Sequence, residues 1–347
     1  MTKPISRVLA NGRLAVLSRT FMEQYVRRRL PAWFPGMRLI RLTIASVSPL
    51  DFKKSIAYTL TMRRSPRQPT QTRTLRVNIP SLDTTQEAVV ADSAMRAIWT
   101  RNLRRTTLLI TRPLGYDTAL RALFYEELPG RPLASHLRHR RSDVLDRVAD
   151  AATWLSTFHA SAIPSGRRRS LARERLEAHY FALNYERNAP AIAPAARRIL
   201  DRYLALRTKL NPAIQRSSIL THGDYNPNNV VIDEQTNALG VIDFGYAQRF
   251  DPMSDYANAV VQLELFHWIW GLDRRYIRQV VRTFTKIYAQ GRPVSRTDLR
   301  RFSLFSAWWK MQVLSYTLSI ATTFPHDAKQ RFIRDTLRTA SALLARV

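Results

Sequence analysis

The fold of this chain is decided by Thr221-His-Gly-Asp-Tyr-Asn-Pro-Asn-Asn229 and the nearby Val241-Ile-Asp-Phe-Gly245. Together the two stretches place two aspartates and an asparagine, Asp224, Asn229 and Asp243, within one short segment. Phosphoryl transfer requires such a set, because one carboxylate must orient the attacking hydroxyl while an amide and a second carboxylate hold Mg²⁺ on a nucleotide triphosphate. The segment therefore predicts a phosphoryl-transfer site.

The residues around these side chains predict a β-hairpin. Val230–Ile232 and Leu239–Ile242 are short apolar runs, and the polar cluster Asp233–Asn237 separates them. Asn229 then enters the first strand and Asp243 leaves the second, so both are expected to approach one cation. Oxygen ligands favour Mg²⁺ over zinc. A solvated turn rich in Asn and Asp is the alternative, but it does not account for the paired apolar strands.

Length and composition indicate an ordinary globular protein. The chain has 347 residues, of which 45% are hydrophobic, which is enough for one large domain or two smaller ones. It has no cysteine, so disulfides, thiolate zinc sites and cysteine nucleophiles are excluded. This composition is compatible with a reducing compartment, and we expect a cytoplasmic protein that either stays in solution or lies peripherally at the membrane surface.

The formal net charge of +29 is the most unusual property of the composition. It is compatible with nucleic-acid binding, with attachment to an anionic membrane or with an anionic substrate. An arginine-rich, solvated surface is the simpler interpretation, because arginines are scattered through every predicted helix. Clusters at Arg27–Arg29, Arg138–Arg141 and Arg167–Arg169 lack the interleaved aromatic residues that single-strand binders use. Nucleic acid is therefore not expected as a partner, whereas contact with an anionic membrane stays open.

Two apolar stretches and the N-terminus bear on membrane association and targeting. Ala257–Trp270 and Phe305–Thr322 are interrupted by Glu264 and by Lys310, so they predict buried core helices and no membrane span. The first 22 residues contain arginines and no acid. An amphipathic helix is the favoured interpretation of this segment, and a targeting peptide is the alternative.

Periodicity predicts an order of elements along the chain. Residues 14–30 have helical spacing before Pro31, and three alternating segments then predict strands, followed by a helix, two more strands and a mainly helical remainder. We expect Ile40, Leu42 and Ile44 to share one face of the first strand, and a helix from Asp143 to His159 with Ser142 as its N-cap. The predicted segments before that helix are Ile40–Ile44, Ile56–Met62, Thr74–Ile79, Thr84–Trp99, Leu108–Ile110 and Ala122–Tyr125, with a turn at Gly115–Asp117.

These motifs resemble the aminoglycoside phosphotransferase and choline kinase superfamily. The resemblance rests on three segments: Arg112–Gly130, the helix end Leu155-Ser-Thr-Phe-His159, and the catalytic hairpin with Asp251-Pro-Met-Ser-Asp-Tyr-Ala257. It implies an α+β, bilobal, protein-kinase-like fold, with a small antiparallel-sheet N-lobe and a larger helical C-lobe. The expected boundaries are 1–38 for an N-terminal helical extension, 39–127 for the N-lobe and 128–347 for the C-lobe.

The resemblance implies roles for the residues of the catalytic segment. Asp224 matches the catalytic aspartate that orients and deprotonates the acceptor hydroxyl, and His222 matches the histidine that braces this loop. Asn229 and Asp243 match the Mg²⁺ ligands. Asp255 is expected to anchor the catalytic loop to the helix that follows it.

The nucleotide side follows the family less closely. Arg76 stands where choline-kinase-like members carry an arginine for the phosphates, and Glu87 is its expected partner, with Asp92 as the alternative. Glu126 and Leu128 lie where the family places the hinge whose backbone groups hold adenine. The loop Ser46–Asp51 has no glycine, so serine hydroxyls and Lys53 or Lys54 would have to hold the phosphates. This departure suggests a weakened or inactive member.

The sequence therefore predicts an ATP- and Mg²⁺-dependent small-molecule kinase; GTP is not excluded. Few acids and many arginines follow Asp243, which favours a neutral or anionic hydroxyl acceptor, such as a sugar, sugar phosphate or glycolipid, over an aminoglycoside. Four tryptophans of the late helices either stack on a sugar or pack in the core: Trp268, Trp270, Trp308 and Trp309. The alternative function is a pseudokinase or basic scaffold on an anionic membrane or nucleic acid. A serine or threonine protein kinase ranks third, because no Ala-Pro-Glu activation segment is present.

Overall fold

The computed structural model describes residues 15–49, 53–80, 85–101, 108–319, 324 and 328–347. The chain forms two compact units. The first consists of Met1–Pro129 with Gly240–Tyr246, and the second of Gly130–Leu239 with Ala247–Val347. Residues 15–38, the described part of the segment that the sequence set apart as an extension, belong to the first unit, and the predicted boundaries stay a prediction.

The first unit is a five-stranded antiparallel sheet with two helices, and its strand order is β1-β2-β3-β6-β5. A short strand, β4, lies beside β10 in the same unit. The elements are α1 (Arg19–Trp33), β1 (Arg38–Pro49), β2 (Lys53–Arg63), β3 (Gln71–Pro80), α2 (Thr85–Thr100), β4 (Leu108–Ile110), β5 (Arg112–Asp117), β6 (Ala122–Glu126) and β10 (Leu239–Val241).

The predicted alternation is confirmed in β2 and wrong in β1. In β2 the whole set Ile56, Tyr58, Leu60 and Met62 is buried. In β1 the register shifts between Leu39 and Arg41, so Leu42 shares the buried face with Leu39 while Ile40 is exposed. Ile44 pairs with Tyr58 in continuous register with Leu42 and so lies on the Leu42 face, although its side chain is exposed. Because a bulge adds one residue to a strand, the side chains beyond it exchange faces, and a pattern of simple alternation fails there.

Helix α1 packs its apolar side against the core of this sheet. Ser18 caps it by accepting a hydrogen bond from the Phe21 amide at 3.3 Å. The expectation that Pro31 ends this helix is wrong, because the helix continues to Trp33. The Trp33 indole is buried and donates to the Leu114 carbonyl at 2.8 Å, which stabilises the additional turn. Leu14, the first residue of the predicted helix, lies outside the described residues.

The turn predicted at Gly115–Asp117 is also misplaced, because these residues end β5. The chain reverses after Asp117, whose Oδ1 accepts hydrogen bonds from the amides of Ala119 and Leu120, both at 3.0 Å. An aspartate that binds the backbone two and three residues ahead is a turn former in its own right. The strand therefore extends through the glycine that the sequence pattern assigned to the turn.

The second unit is mainly helical and carries short strands. Strand β7 pairs with β9, and β8 pairs with β11. The elements are β7 (Arg131–Pro132), α3 (Leu133–Arg138), α4 (Val144–Ala160), α5 (Leu171–Asn188), α6 (Ala193–Arg216), β8 (Ile219–Thr221), β9 (Val230–Ile232), β11 (Gln248–Phe250), α7 (Met253–Trp270), α8 (Arg274–Gly291), α9 (Arg296–Ser319) and α10 (Ala328–Leu344).

The strand segments of the predicted hairpin form at the expected residues, as β9 and β10. The turn after β9 is closed by the Asp233 amide, which donates to the Ala238 carbonyl at 2.9 Å. The Asp233 side chain accepts from the Gln235 amide and the Thr236 hydroxyl. Polar residues therefore stabilise this turn in the way that their composition predicted.

The late helices supply the core of the second unit. Trp308 and Trp309 are buried, and Trp309 donates from its indole to the Ser254 carbonyl at 2.9 Å, so both belong to the core. Helix α4 begins after Asp143 without a side-chain cap, so the expected Ser142 cap is wrong. Among the described helices, none has both the length and the apolar character needed to cross a membrane.

Candidate active site

The loop from β8 to β9 is fixed at its start by one buried carboxylate. Asp255, in the first turn of α7, accepts hydrogen bonds from the amides of His222 at 2.7 Å and Gly223 at 2.9 Å. Gly223 has φ +82°, a conformation that favours glycine. The predicted role of Asp255 as an anchor between this loop and the following helix is confirmed.

A buried histidine connects the same carboxylate to α8. His159 Nε2 lies 3.2 Å from Asp255 Oδ2, and its Nδ1 lies 2.9 Å from the Tyr288 hydroxyl. Burial lowers the pKa of His159, and the nearby Asp255 opposes that shift. His159 is the last residue of the leucine-histidine helix end noted in the sequence, and its position explains why that motif accompanies the catalytic segment.

Asp224 is half-buried, and its carboxylate lies between two amide side chains. Oδ2 accepts from Asn229 Nδ2 at 3.1 Å, and Oδ1 accepts from Asn258 Nδ2 at 3.2 Å. The Asp224 amide donates to His222 Nδ1 at 3.3 Å, so this histidine nitrogen is the acceptor. These hydrogen bonds fix the orientation of the Asp224 carboxylate. A fixed orientation is what a group needs in order to receive a proton from a substrate hydroxyl.

Asn229 uses its nitrogen for the loop itself. Nδ2 donates to the Asp224 carbonyl at 2.9 Å as well as to the carboxylate. The amide oxygen is therefore the atom of Asn229 that suits a cation. Asn226 supports this conformation by donating to the Asp224 carbonyl at 3.1 Å and by accepting from the Asn229 amide with its own carbonyl at 2.9 Å.

Asn258 was not identified from the sequence. It is fully buried on α7, one helical turn after Asp255. The two side chains lie on one face of the helix, because residues three apart are neighbours there. The spacing Asp-x-x-Asn was the available signal, since a residue one turn beyond the loop anchor is expected to reach the same loop.

Asp243 lies in the first unit, directly after β10. Its backbone has φ +62°, unusual for a residue other than glycine, and a short 3₁₀ turn, Phe244–Tyr246, follows. A Cβ placed on Gly245 would lie 3.5 Å from both Asp243 Oδ1 and Glu87 Cβ. Glu87, in the first turn of α2, is thus close to the Asp-Phe-Gly turn.

Arg76 on β3 contacts Glu127 and the Ser55 hydroxyl. Glu127 was not foreseen as its partner; the pairing with Glu87 expected from the family stays a prediction. Burial raises the pKa of the Tyr125 phenol, the charges of Asp243 and Glu127 raise it further, and Arg76 opposes them. Tyr125 therefore lies within the electrostatic reach of these three charges.

Glu126 and Leu128, the two residues predicted to lie at the hinge, have different neighbours. The Glu126 carboxylate lies 3.5 Å from Arg112 and 3.6 Å from Arg73, so it forms ion pairs on the sheet. The Leu128 side chain lies against Gly240, where a Cβ would come within 2.1 Å of its Cδ1. Adenine binding by the backbone at Glu126 and Leu128 stays a prediction.

The glycine-free loop is shorter than the sequence suggested. Ser46 and Ser48 belong to β1 and pair with Ala57 and Ser55 of β2. Residues 50–52 and the side chains of Lys53 and Lys54 lie outside the described residues. The prediction that these lysines hold phosphates therefore stays a prediction.

Within the described parts of the chain, no group of three or more histidine and acidic side chains is arranged to hold a metal ion. Mg²⁺ does not require one, because it is commonly bound through one or two carboxylates, with phosphates and water completing its shell. An amide oxygen, as at Asn229, and a carboxylate, as at Asp243, are each ligand types that suit Mg²⁺, and the binding of one ion by both residues stays a prediction.

Comparison with known proteins bears on the fold and the family of the chain. No curated protein sequence matches the chain. An amicoumacin kinase solved with AMP-PNP, Ca²⁺ and Ami has a TM-score of 0.58 at 12% identity, and the match covers 94% of this chain and 93% of that one. An ethanolamine kinase from Plasmodium vivax has a TM-score of 0.53 at 12% identity, with coverages of 94% and 91%. Both likenesses confirm the predicted α+β, protein-kinase-like fold.

The family itself is established by a sequence model. The model described as the phosphotransferase enzyme family APH matches residues 69–294, which is more than half of the chain. The matched range includes β3 with Arg76, the whole catalytic loop and α7 with Asp255 and Asn258. The chain belongs to the APH phosphotransferase enzyme family and is a small-molecule kinase that transfers phosphate to a hydroxyl group.

Proposed function

We propose that this kinase transfers the γ-phosphate of ATP, with Mg²⁺, to a hydroxyl group of a neutral or anionic small molecule. The observation that carries the proposal is the Asp224 carboxylate, whose two oxygens each accept a hydrogen bond from a different asparagine, Asn229 and Asn258. A carboxylate held in this way keeps one orientation toward an incoming hydroxyl. Positioning and charge neutralisation account for most of the catalysis in phosphoryl transfer.

The remaining roles follow from the chemistry of each side chain. Asn229 and Asp243 supply oxygen ligands to Mg²⁺, which when bound neutralises charge on the phosphates. Arg76 holds phosphate oxygens through its guanidinium, and Glu127 orients that guanidinium. His222 accepts from the Asp224 amide and so maintains the loop without transferring a proton itself.

A groove in the second unit supports the choice of acceptor. It has a volume of about 430 Å³ and lies between α7, α8, α9 and α10. Its walls include apolar side chains, and four basic residues outnumber two acids. Such a lining suits a hydroxyl compound with an apolar part and an anionic group better than a polycation. The charged residues of the lining are Arg274, Arg278, Lys310, Arg346, Glu264 and Asp335.

Helix α7 connects this groove to the catalytic loop. Asn258 binds Asp224, and Val261, one turn farther along the same helix, lines the groove. Since a helix rises about 1.5 Å per residue, Val261 lies about 5 Å from Asn258 along the helix axis. The buried Ser306 hydroxyl also lines the groove and has no hydrogen-bond partner among the described residues, so it is suited to contact a polar acceptor.

The test is transfer of radiolabelled γ-phosphate to a panel of sugars, sugar phosphates, glycolipids and aminoglycosides. We expect labelling of a neutral or anionic member of the panel. Asp224→Asn should lower the rate of this labelling by at least about 100-fold. Asp243→Ala should abolish turnover because a Mg²⁺ ligand is lost. Transfer that survives both substitutions, or transfer to aminoglycosides alone, contradicts the proposal.

A thermal-shift measurement separates the enzyme from a scaffold without turnover, the alternative suggested by the glycine-free loop. Mg²⁺-ATP should raise the melting temperature of the wild-type protein, because a ligand that binds only the folded state stabilises it. The same addition should have a smaller effect on Asp243→Ala. The absence of any shift in the wild-type protein favours the scaffold.

A further inference from the structure

Helix α8 presents an exposed row of four cations, Arg275, Arg278, Arg282 and Lys286. We call this row the α8 basic face. The members are spaced three or four residues apart, so they lie on one side of the helix. From first to last they extend about 17 Å at the usual helical rise. Gln279 and Thr283 complete the lining of a shallow hollow of about 540 Å³ between them.

The α8 basic face has no acidic residue to neutralise it within its own helix, since Arg274–Gly291 contains no aspartate or glutamate. Among the described residues, none of its four cations forms an ion pair with an acid. Arginines on other helices do so within one turn, as in the pairs Arg27–Glu23, Arg96–Asp92 and Arg173–Glu177. Like charges one turn apart repel, so this helix carries a repulsion that the others avoid.

The surroundings of the helix N-terminus add positive charge. The side chain of Asp273, the N-cap, accepts hydrogen bonds from the amides of Arg275 and Tyr276 at 2.8 and 3.1 Å. The Arg140 guanidinium lies over the Tyr276 ring, 5.3 Å from its centre. One arginine of a cluster noted in the sequence, Arg140, therefore lies beside the α8 basic face at this end.

The opposite side of α8 is buried, which fixes the orientation of the cations. Ile277, Val280, Phe284 and Tyr288 are all buried, and the helix packs along α4 and α7. A helix anchored in this way between two neighbours cannot insert its apolar side into a bilayer. It can present its cations only to an anionic layer outside the protein.

We propose that the α8 basic face docks this kinase on an anionic lipid bilayer. A fixed row of flexible cations without an acid matches a surface of many mobile anionic headgroups, which rearrange to neutralise it. Nucleic acid is less suited, because the row has no aromatic side chain for base stacking. Three of the four cations lie outside the acceptor groove, and docking through them holds the enzyme at a surface where amphipathic hydroxyl compounds are concentrated.

The experiment is a flotation assay of the full-length protein with phosphatidylcholine vesicles, with and without added phosphatidylglycerol. We expect binding only to the anionic vesicles, and loss of binding at high salt. The variant Arg275→Gln/Arg282→Gln/Lys286→Gln, which leaves Arg278 of the acceptor groove intact, should bind at least about 100-fold more weakly, because each cation contributes about fivefold to partitioning. Its phosphotransfer to a water-soluble acceptor should stay unchanged.

A matched variant controls for net charge. Arg187→Gln/Arg198→Gln/Lys209→Gln removes the same charge from exposed positions on α5 and α6 and should retain binding. Equal losses in the two variants, or no binding of the wild-type protein, overturn the proposal. Stronger capture by duplex DNA than by anionic vesicles, when the two compete, also overturns it. Circular dichroism and melting temperature verify that both variants are folded.

Discussion

Asn258 donates from Nδ2 to Oδ1 of Asp224 at 3.2 Å, from a helix that follows the catalytic loop by more than twenty residues. Asn229 donates to the other oxygen of the same carboxylate. One amide thus comes from the loop itself and the other from α7, which Asp255 also ties to the loop. The carboxylate plane is therefore fixed from two independent elements.

We predict that Asn258→Ala lowers kcat by about 10- to 100-fold, because the Asp224 carboxylate gains rotational freedom and small misplacements of a reacting group are costly. The nucleotide KM should change little, since Asn258 does not belong to the nucleotide side. Steady-state kinetics measure both constants. Gln262→Ala, one turn farther along α7, is the control and should retain wild-type kcat. A variant that raises KM and leaves kcat intact argues against a positioning role.

Asp255→Ala should destabilise the fold by about 3 kcal/mol or more. The substitution removes the acceptor of the His222 and Gly223 amides and of His159, and each unpaired buried donor costs about 1–3 kcal/mol. Urea unfolding followed by tryptophan fluorescence measures the change. Asp255→Asn keeps one acceptor oxygen and should be intermediate. Equal stability of the alanine variant and the wild-type protein would show that the loop does not depend on this anchor.

The sequence predicted the catalytic loop and its strands well, because local chemistry specifies them. Asp233 and Thr236 form their turn within a few residues, and the apolar runs on either side become strands. It failed at Leu39, where a bulge exchanges the faces of β1, and at Pro31, where the buried Trp33 extends the helix. Both failures arise from tertiary contacts that override a local pattern.

The side-chain partners were harder to predict than the loop. Asn258 and Glu127 were missed, although each lies close in sequence to a residue that was identified. A motif specifies which residue types are present, but it does not specify which of two neighbouring acids reaches a given arginine. Glu126 and Glu127 carry the same charge, but Glu127 pairs with Arg76 while Glu126 pairs with Arg73 and Arg112.

His159 should make the protein less stable in mild acid. Burial lowers its pKa in the folded state below the value near 6.5 of an unfolded chain. The unfolded state therefore binds more protons just below pH 6.5, and the free energy of unfolding falls as the pH decreases through that range. For one proton the slope is at most about 1.4 kcal/mol per pH unit. Urea titrations from neutral pH downward measure it.

The comparison for this pH effect is His159→Gln, which cannot be protonated and should show a shallower slope. Some slope should remain, because burial also lowers the pKa of His136. Asp251, whose pKa burial raises, has the opposite effect, but it is present in both proteins and largely cancels in the difference. Identical slopes in the two proteins would mean that His159 does not contribute.

Arg207 and Glu174 form a fully buried ion pair, and we predict that Arg207→Met costs about 3 kcal/mol by removing the closest counter-charge of the carboxylate and leaving only Arg169, at 3.6 Å. Arg207 donates to both Glu174 oxygens, at 3.0 to 3.2 Å, and Tyr203 donates to the same carboxylate at 2.7 Å. Glu174→Leu/Arg207→Met should recover much of the loss, because a buried pair replaced by apolar groups of similar volume is often neutral. Arg197→Met, which breaks an exposed pair with Glu186, should cost less than about 1 kcal/mol. Urea unfolding of the three variants tests this, and a double variant no more stable than Arg207→Met would contradict it.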